Sequence, residues 1–321
     1  MDYPGLGLLV TVALLFAFLA YRAFRGQRRW VKLTGGILST LLTLLFGTAT
    51  VLALVGYGKL NAARPNPLPQ LSAPISPALV ANGERFARSC AGCHSSTGDL
   101  PLSGQDFFGA EGGPPIGTLW APNLTPAHLA EWSDGEIVRA IREGVGRDGR
   151  SLLIMPSAYF RNLSDEDVRA IVAYLRSQPV VEPTSPPRRI SVLGAIMLAT
   201  VFPDEFFSAQ PPVAQPVVAP PRGPTAAYGG YLVRLECQGC HAENLAGLPP
   251  DPTGPSGPNL TTLPQRLTAE EFAALLRTGR FPDGSPIGPD MPVKYLEKMS
   301  DDDFRAIYAY LESLGPLPDN Q

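Results

Sequence analysis

The chain has four cysteines, and they fall in two pairs of one spacing, each followed at once by a histidine: Cys90-Ala-Gly-Cys93-His94 and Cys237-Gln-Gly-Cys240-His241. Both pairs sit in copies of one unit. Pro-Asn-Leu-Thr occurs at Pro122–Thr125 and again at Pro258–Thr261. A Met-Pro follows 33 residues after each of these prolines, at Met155 and Met291, and a tyrosine 19 residues later again, Tyr174 and Tyr310. His94 precedes its proline by 28 residues and His241 by 17, so one insertion of 11 residues between Ser95 and Ala121 accounts for most of the difference. A repeat this regular predicts tandem domains, at 78–180 and 225–321.

Each copy reads as a small, mostly helical domain. Ser164-Asp-Glu-Asp167 and Ser300-Asp-Asp-Asp303 are N-cap signatures, with acids at the positive end of the helix dipole. Behind them Val168, Ile171, Val172, Leu175 and Phe304, Ile307, Tyr308, Leu311 recur at helical spacing and give one apolar face each. Ser133…Glu136 and Thr268…Glu271 are capping boxes for a middle helix. A first helix is expected to run into each cysteine pair, around residues 79–89 and 226–236. Domains of about 100 residues with this much loop bury little apolar surface unaided, which favours a bound cofactor.

Cys-X-X-Cys-His has a specific chemical use. Two thiols at this spacing can add to the vinyl groups of one haem, and the adjacent histidine then stands at the iron. Cys90, Cys93, Cys237 and Cys240 are therefore the expected attachment points of two covalently bound haem c groups, with His94 and His241 as iron ligands. A thioredoxin-type dithiol needs a βαβ context, which neither copy shows. A structural zinc site needs four Cys or His ligands, and each copy supplies three, His128 apart. With only three histidines and no spare cysteine, the sixth ligand falls to methionine. Met155 and Met291 match between copies, each followed by a proline. Met299 matches Leu163, an apolar packing position, and Met197 has no counterpart. His128 also lacks one; it reads as a loop histidine, or else as an alternative ligand or proton-linked group near the first haem.

Outside the repeat, Tyr3–Tyr21 and Leu33–Tyr57 are uncharged runs of 19 and 25 residues, each long enough to cross a bilayer as a helix. Arg22, Arg25, Arg28, Arg29 and Lys32 lie between them without an acid, which places that loop in the cytoplasm and both outer ends on the other side. The only charged side chain before the first run is Asp2, whereas a cleaved signal peptide begins with a basic segment. Residues 1–60 are expected to form a retained hairpin anchor. Residues 61–77 read as a Pro-rich linker and 181–224 as a second one. The second contains an uncharged, mostly apolar run at 190–202, too short to span and better suited to a buried or interfacial helix. Apolar residues at 45% against 17% charged agree with membrane segments, and a net charge of −3 excludes a nucleic-acid binder driven by overall basicity.

Together the Cys-X-X-Cys-His, Pro-Asn-Leu-Thr, the Asp148-Gly149 and Asp283-Gly284 turns, the Met-Pro and the acid-headed last helix resemble the class I c-type cytochromes. The likeness is to the mono- and di-haem branch found in subunits of membrane-bound periplasmic dehydrogenases. It covers the two repeat copies and not the hairpin. The resemblance implies His/Met-ligated haem, a pocket lined by the Pro-Asn-Leu-Thr loop (Asn123 and Asn259) and haem attachment outside the cytoplasm. The expected architecture is all-α: a transmembrane hairpin followed by two tandem class I cytochrome c domains joined by Pro-rich linkers. The expected function is electron transfer on the extracytoplasmic face of the inner membrane. Electrons would pass between a dehydrogenase or quinol-oxidising complex and an acceptor such as a terminal oxidase, by a protein that is a carrier or electron-transfer subunit rather than a catalyst by itself. Residues 225–321 carry 7 basic and 13 acidic residues, which favours a basic partner surface. The alternatives are a di-haem peroxidase-like enzyme with one open haem, and a permanent haem subunit of a respiratory or photosynthetic complex.

Overall fold

The computed structural model describes residues 1–107, 116–250 and 256–320; part of the interval that holds the 11-residue insertion, 108–115, lies outside the described residues. The fold is mostly helical. In chain order the α-helices are α1 (Tyr3–Arg25), α2 (Ile37–Asn61), α3 (Pro77–His94), α4 (Pro126–Leu129), α5 (Asp134–Glu143), α6 (Ser157–Phe160) and α7 (Asp165–Ser177). They continue with α8 (Val192–Thr200), α9 (Ala226–Glu236), α10 (Gln238–His241), α11 (Ala269–Thr278), α12 (Val293–Leu296) and α13 (Asp301–Leu314). Two compact units result. One comprises Met1–Ala63, Asp106–Ala121 and Pro186–Phe206, the other Arg64–Gln105, Pro122–Ser185 and Phe207–Gln321. Part of the first repeat copy and the middle of the second linker thus belong with the N-terminal helices, a grouping that sequence composition does not reveal.

In the first unit α1 starts at Asp2, whose carboxylate accepts from the Gly5 amide at 2.9 Å, and ends with Arg22 and Arg25 on the negative end of the helix dipole. A π-helical turn, Val31–Gly36, leads into α2. The two helices pack side by side, with the Phe16 and Phe46 rings stacked at 5.9 Å. Both are long and apolar enough to cross a membrane, and their apolar windows are only 6% buried. A core helix of a water-soluble protein hides that surface, whereas a helix in hydrocarbon does not. The apolar run at 190–202 forms α8, which buries Gly194, Ala195 and Leu198, and α8 packs along α2.

The second unit holds both repeat copies. Within each, the first helix crosses the last, α3 against α7 and α9 against α13. The crossings are backbone-close and equivalent. A methyl group on Gly83 would meet the Ala170 carbonyl oxygen at 1.8 Å, and one on Gly229 the Ala306 carbonyl oxygen at 1.8 Å. Around them Phe86, Val168, Ile171 and Val172 in one copy, and Leu232, Phe304, Ile307 and Leu311 in the other, are buried. The middle helices α5 and α11 carry the two expected capping boxes, and each ends on a left-handed glycine, Gly144 and Gly279. The first helices differ: α3 runs unbroken through its cysteine pair to His94, whereas α9 stops at Glu236 and the second pair occupies a separate turn, α10. The first Pro-rich linker is extended, as its prolines dictate, but docked. Asn66 is buried and donates to Glu143 Oε2 at 2.7 Å and to the Gln210 carbonyl at 3.0 Å.

Because the glycine crossing leaves no room for a methyl group, Gly83→Ala and Gly229→Ala should each destabilise the protein by about 1–3 kcal/mol through forced separation of the helices. Chemical denaturation of each variant checks this, with Gly92→Ala, which meets nothing within 4 Å, as the tolerated control.

Candidate haem centres

His94 and His241 stand at the ends of α3 and α10 and are buried, 7% and 4% exposed. Each imidazole donates from Nδ1 to a proline carbonyl, His94 to Pro122 and His241 to Pro258, both at 2.7 Å. That bond fixes the tautomer and leaves the Nε2 lone pair of each ring available to an iron. Burial pushes both imidazoles below their ordinary pKa, so the neutral form that can ligate is favoured, although the proline carbonyl pulls the other way. His128 adds a small further depression at His94. It lies on α4, beside Trp132 with ring centroids 6.4 Å apart, and has no counterpart in the second copy.

The proline carbonyls are held in place by the asparagines that follow them. Asn123 Oδ1 accepts from the Thr125 amide at 2.8 Å and its hydroxyl at 2.7 Å, while Nδ2 donates to the Val181 carbonyl at 2.7 Å and the Pro183 carbonyl at 3.3 Å. Asn259 repeats this with Thr261 at 2.9 and 2.6 Å, the Leu317 carbonyl at 2.8 Å and Asp319 at 2.9 Å. Both ends of each amide are engaged within the protein. What the two asparagines contribute is therefore position: they staple the loop that orients the histidine to the chain leaving the last helix.

The methionines occupy one local structure twice. Each is partly buried, and its carbonyl accepts from the amide two residues on, Ser157 and Val293, at 2.8 Å. A short helix follows in each copy, α6 and α12. Met299 packs against the hydrophobic core, and its counterpart Leu163 is 2% exposed, as apolar filling requires. The four cysteines are free thiols with no disulfide between them. Burial raises the pKa of all four, Cys90 and Cys237 to about 12, so as free side chains they are neutral thiols. Among the described residues no cluster of three or more His, Cys, Asp or Glu could hold a metal ion on its own. Both copies thus present a buried imidazole with one free nitrogen, two thiols beside it in the chain and a partly buried thioether, groups whose chemistry fits haem c.

The two copies also clasp each other, and this the sequence did not disclose. Arg85 and Tyr231 hold equivalent places, each two residues beyond the crossing glycine. Arg85 Nη1 donates to both oxygens of Asp303, at 2.8 and 2.9 Å, and its other amino group meets the Tyr228 hydroxyl. Tyr231 donates to Asp167 at 2.7 Å and accepts from the Ser164 amide at 3.0 Å. Asp167 and Asp303 are the acids whose N-caps, Ser164 and Ser300, open α7 and α13. Each domain thus reaches with its first helix for the first turn of the other's last helix. Tyr159 and Tyr295, each four residues beyond its methionine, point the same way. A methyl group on Gly239 would sit 3.5 Å from the Tyr159 ring. Burial, first of all, raises the Tyr295 hydroxyl, and its neighbours there, Glu236, Cys237, Cys240 and Cys90, come from both copies.

Two outcomes follow. Arg85→Ala leaves the Asp303 carboxylate buried without its cation and should cost about 3–5 kcal/mol, read as a shift in denaturation midpoint. Glu236 replaces the Ser89 of the first copy, and burial pushes its carboxyl up to about 7, against a smaller pull from Arg85. A raised carboxyl is protonated in the folded state at acid pH and must ionise under burial as pH climbs. Its stability cost therefore grows from about pH 4.5 to pH 7, to at most about 3 kcal/mol. Glu236→Gln should leave stability unchanged at pH 4.5 and raise it at pH 8, measured by thermal unfolding.

Comparison with known proteins agrees with this geometry. The family described as Cytochrome c matches residues 80–179 and 226–315. The chain is 30% identical over 277 residues to the cytochrome c subunit of an alcohol dehydrogenase (quinone) from Gluconacetobacter polyoxogenes, covering 76% of this chain and 58% of that protein. It is 29% identical to the gluconate 2-dehydrogenase cytochrome c subunit of Pantoea cypripedii, covering 74% and 60%. It is 25% identical to the fructose dehydrogenase cytochrome subunit of Gluconobacter japonicus, covering 71% and 51%. The chain therefore spans a little over half the length of these relatives. Two matches to one family, each over a domain that repeats the same donor set, make this chain a member of the cytochrome c family with two haem c groups.

Proposed function

We propose that this protein is a membrane-anchored di-haem electron carrier working on the extracytoplasmic face. It would take electrons from a dehydrogenase, or from a quinol-oxidising complex, and pass them to an acceptor such as a terminal oxidase. The observation that carries the reading is the duplication of one set of candidate donors: a buried histidine held by a proline carbonyl, and a Met-Pro in the same local turn, in both copies. Cys90 and Cys93 would hold one haem through thioethers, and Cys237 and Cys240 the other. His94 with Met155, and His241 with Met291, would be the axial ligands. Bound haem supplies reversible one-electron exchange at iron. The protein's part is to present Nε2 and the thioether sulfur, to exclude water from the pocket and to hold both groups still as the charge changes, so that little reorganises. A peroxidase-like enzyme needs one open iron, and the equivalence of the two Met-Pro turns argues against it.

The charge pattern of the loop between α1 and α2 supports an extracytoplasmic N-terminus and haem domains. The matched relatives are named as subunits of dehydrogenases. That favours a second form of the same reading, in which this chain stays bound to a dehydrogenase rather than diffusing between partners. The domain clasp supports direct exchange between the two haems, since Tyr159 and Tyr295 lie where the two cysteine motifs approach.

Absorption spectra of the purified protein test the closed-carrier reading. The expected result is two haems per chain, a near-infrared Met-to-iron band, and no binding of carbon monoxide to the reduced form. Met155→Ala and Met291→Ala should each remove about half of that band, lower one midpoint potential and open one haem to carbon monoxide, because methionine ligation raises the potential. Carbon monoxide binding by the unaltered protein would overturn the assignment for the domain that binds it.

A further inference from the structure

The helix in the second linker, α8, sits on the hairpin. The Ala195 carbonyl lies so close to α2 that a methyl group on Gly56 would meet it at 1.8 Å. The α2 residues Ala53, Gly56, Tyr57 and Leu60 are buried, whereas most of the rest of that helix is exposed. At its start α8 touches the first turn of α1, where a methyl group on Gly5 would meet Val192 at 2.7 Å. The Tyr57 hydroxyl bridges the same place, accepting from the Asp2 amide and donating to the Ile190 carbonyl, both at 3.1 Å. So α8 lies level with the first turn of one long helix and the last two turns of the other.

That depth falls partly within the uncharged run that ends at Tyr57. The stretch 190–203 carries no charge, and the charges on either side of it are Arg189 and Asp204. Asp204 pairs at 3.0 Å with Lys59, the first charge after α2's own apolar run. The charged boundary of α8 therefore coincides with that of the hairpin. One face of α8 is turned to α2. The other presents Leu193, 45% exposed, and just past its end Val201, 67% exposed. The helix is also equipped for a site without water. Ser191 Oγ caps it by accepting from the Gly194 amide at 3.0 Å, Thr200 Oγ1 returns to the Ile196 carbonyl at 2.9 Å, and the Ser191 amide donates to the Ile116 carbonyl at 2.9 Å.

We infer that α8 is a third membrane element: a short helix lying in the outer leaflet against α2, its Leu193 and Val201 face in contact with lipid acyl chains. The inference rests on the reading of α1 and α2 as membrane-spanning. It also gives the first repeat copy a task that the second lacks. Residues 116–118, at the far end of the insertion interval, hold α8 in place: Gly117 and Thr118 pair antiparallel with Ile190 and Arg189, and Gly194 leaves room for the Ile116 carbonyl. Residues 116–118 are then a bracket for a lipid-bound helix.

The test uses the haem-loaded full chain, whose native cysteines are taken up by haem, with a single nitroxide label at Leu44→Cys, Leu193→Cys, Val201→Cys or Glu312→Cys. In vesicles of phosphatidylethanolamine and phosphatidylglycerol, collision rates with oxygen, which concentrates in lipid, and with a neutral nickel chelate, which stays in water, are compared. The expected result is an oxygen-to-nickel ratio several-fold higher at 44, 193 and 201 than at 312, with 193 and 201 shallower than 44. Water-like values at 193 and 201 with a lipid value at 44 overturn the inference and leave the hairpin standing. A water-like value at 44 overturns the hairpin reading itself. Exclusion of both probes from 193 and 201 means that protein covers α8, and overturns the inference as well.

Discussion

Each cytochrome domain depends on one contact, a glycine of its first helix set against a backbone carbonyl of its last. At Gly83 and Gly229 the two helices approach until no side chain fits between them. That closeness fixes where the first helix ends, and with it where the cysteine pair and the histidine stand. The rest of the pocket is referred to that histidine. The proline carbonyl holds the ring, the asparagine holds the proline loop, and the chain leaving the last helix holds the asparagine. The mechanical circuit thus runs from the helix crossing, through the imidazole, and back to the end of the same crossing.

How much of this was readable in advance depended on how local each signal was. The capping boxes at Ser133 and Thr268, the N-caps at Ser164 and Ser300, and the short helix of the second linker are set by neighbours in the chain, and they lie where the residues indicate. The proposed donors could be named from the sequence because the repeat shows every one of them twice. The clasp was not. Arg85 and Tyr231 are different residue types at equivalent places, so comparison of the copies conceals their common task. Asp167 and Asp303 looked fully explained as helix caps. Likewise nothing in the insertion's composition reveals that residues 116–118 pair with the second linker, since a two-residue strand has no periodicity to read.

Duplication followed by divergence explains the pattern of likeness and difference. The copies keep the crossing glycine, the His–Pro bond, the asparagine staple and the Met-Pro turn, the features proposed to hold the haem. They differ where each faces something the other does not. In the first copy residues 116–118 pair with the start of the α8 segment, and α3 continues unbroken through the cysteines. The second breaks its helix before the pair and places Glu236 where the first has Ser89. Asp303 takes its cation, Arg85, from the first helix of the other copy, whereas Asp167 receives a phenol, Tyr231, from the equivalent helix and its cation, Arg222, from the second linker, which removes any exact symmetry from the interface. A clasp made of two unlike halves tells the domains apart, which two identical halves could not do.

The two shared aspartates have a consequence for how the molecule comes together. Each one closes the N-terminus of a helix in its own domain and receives a hydrogen bond from the other domain, so one carboxylate enters two equilibria at once. Folding and docking then cannot be separated into successive events with independent free energies. A last helix whose first turn is frayed offers its neighbour no anchor, and an undocked neighbour leaves that turn less well held. The pair behaves as a two-key lock, in which neither domain reaches its full rigidity until the other has formed.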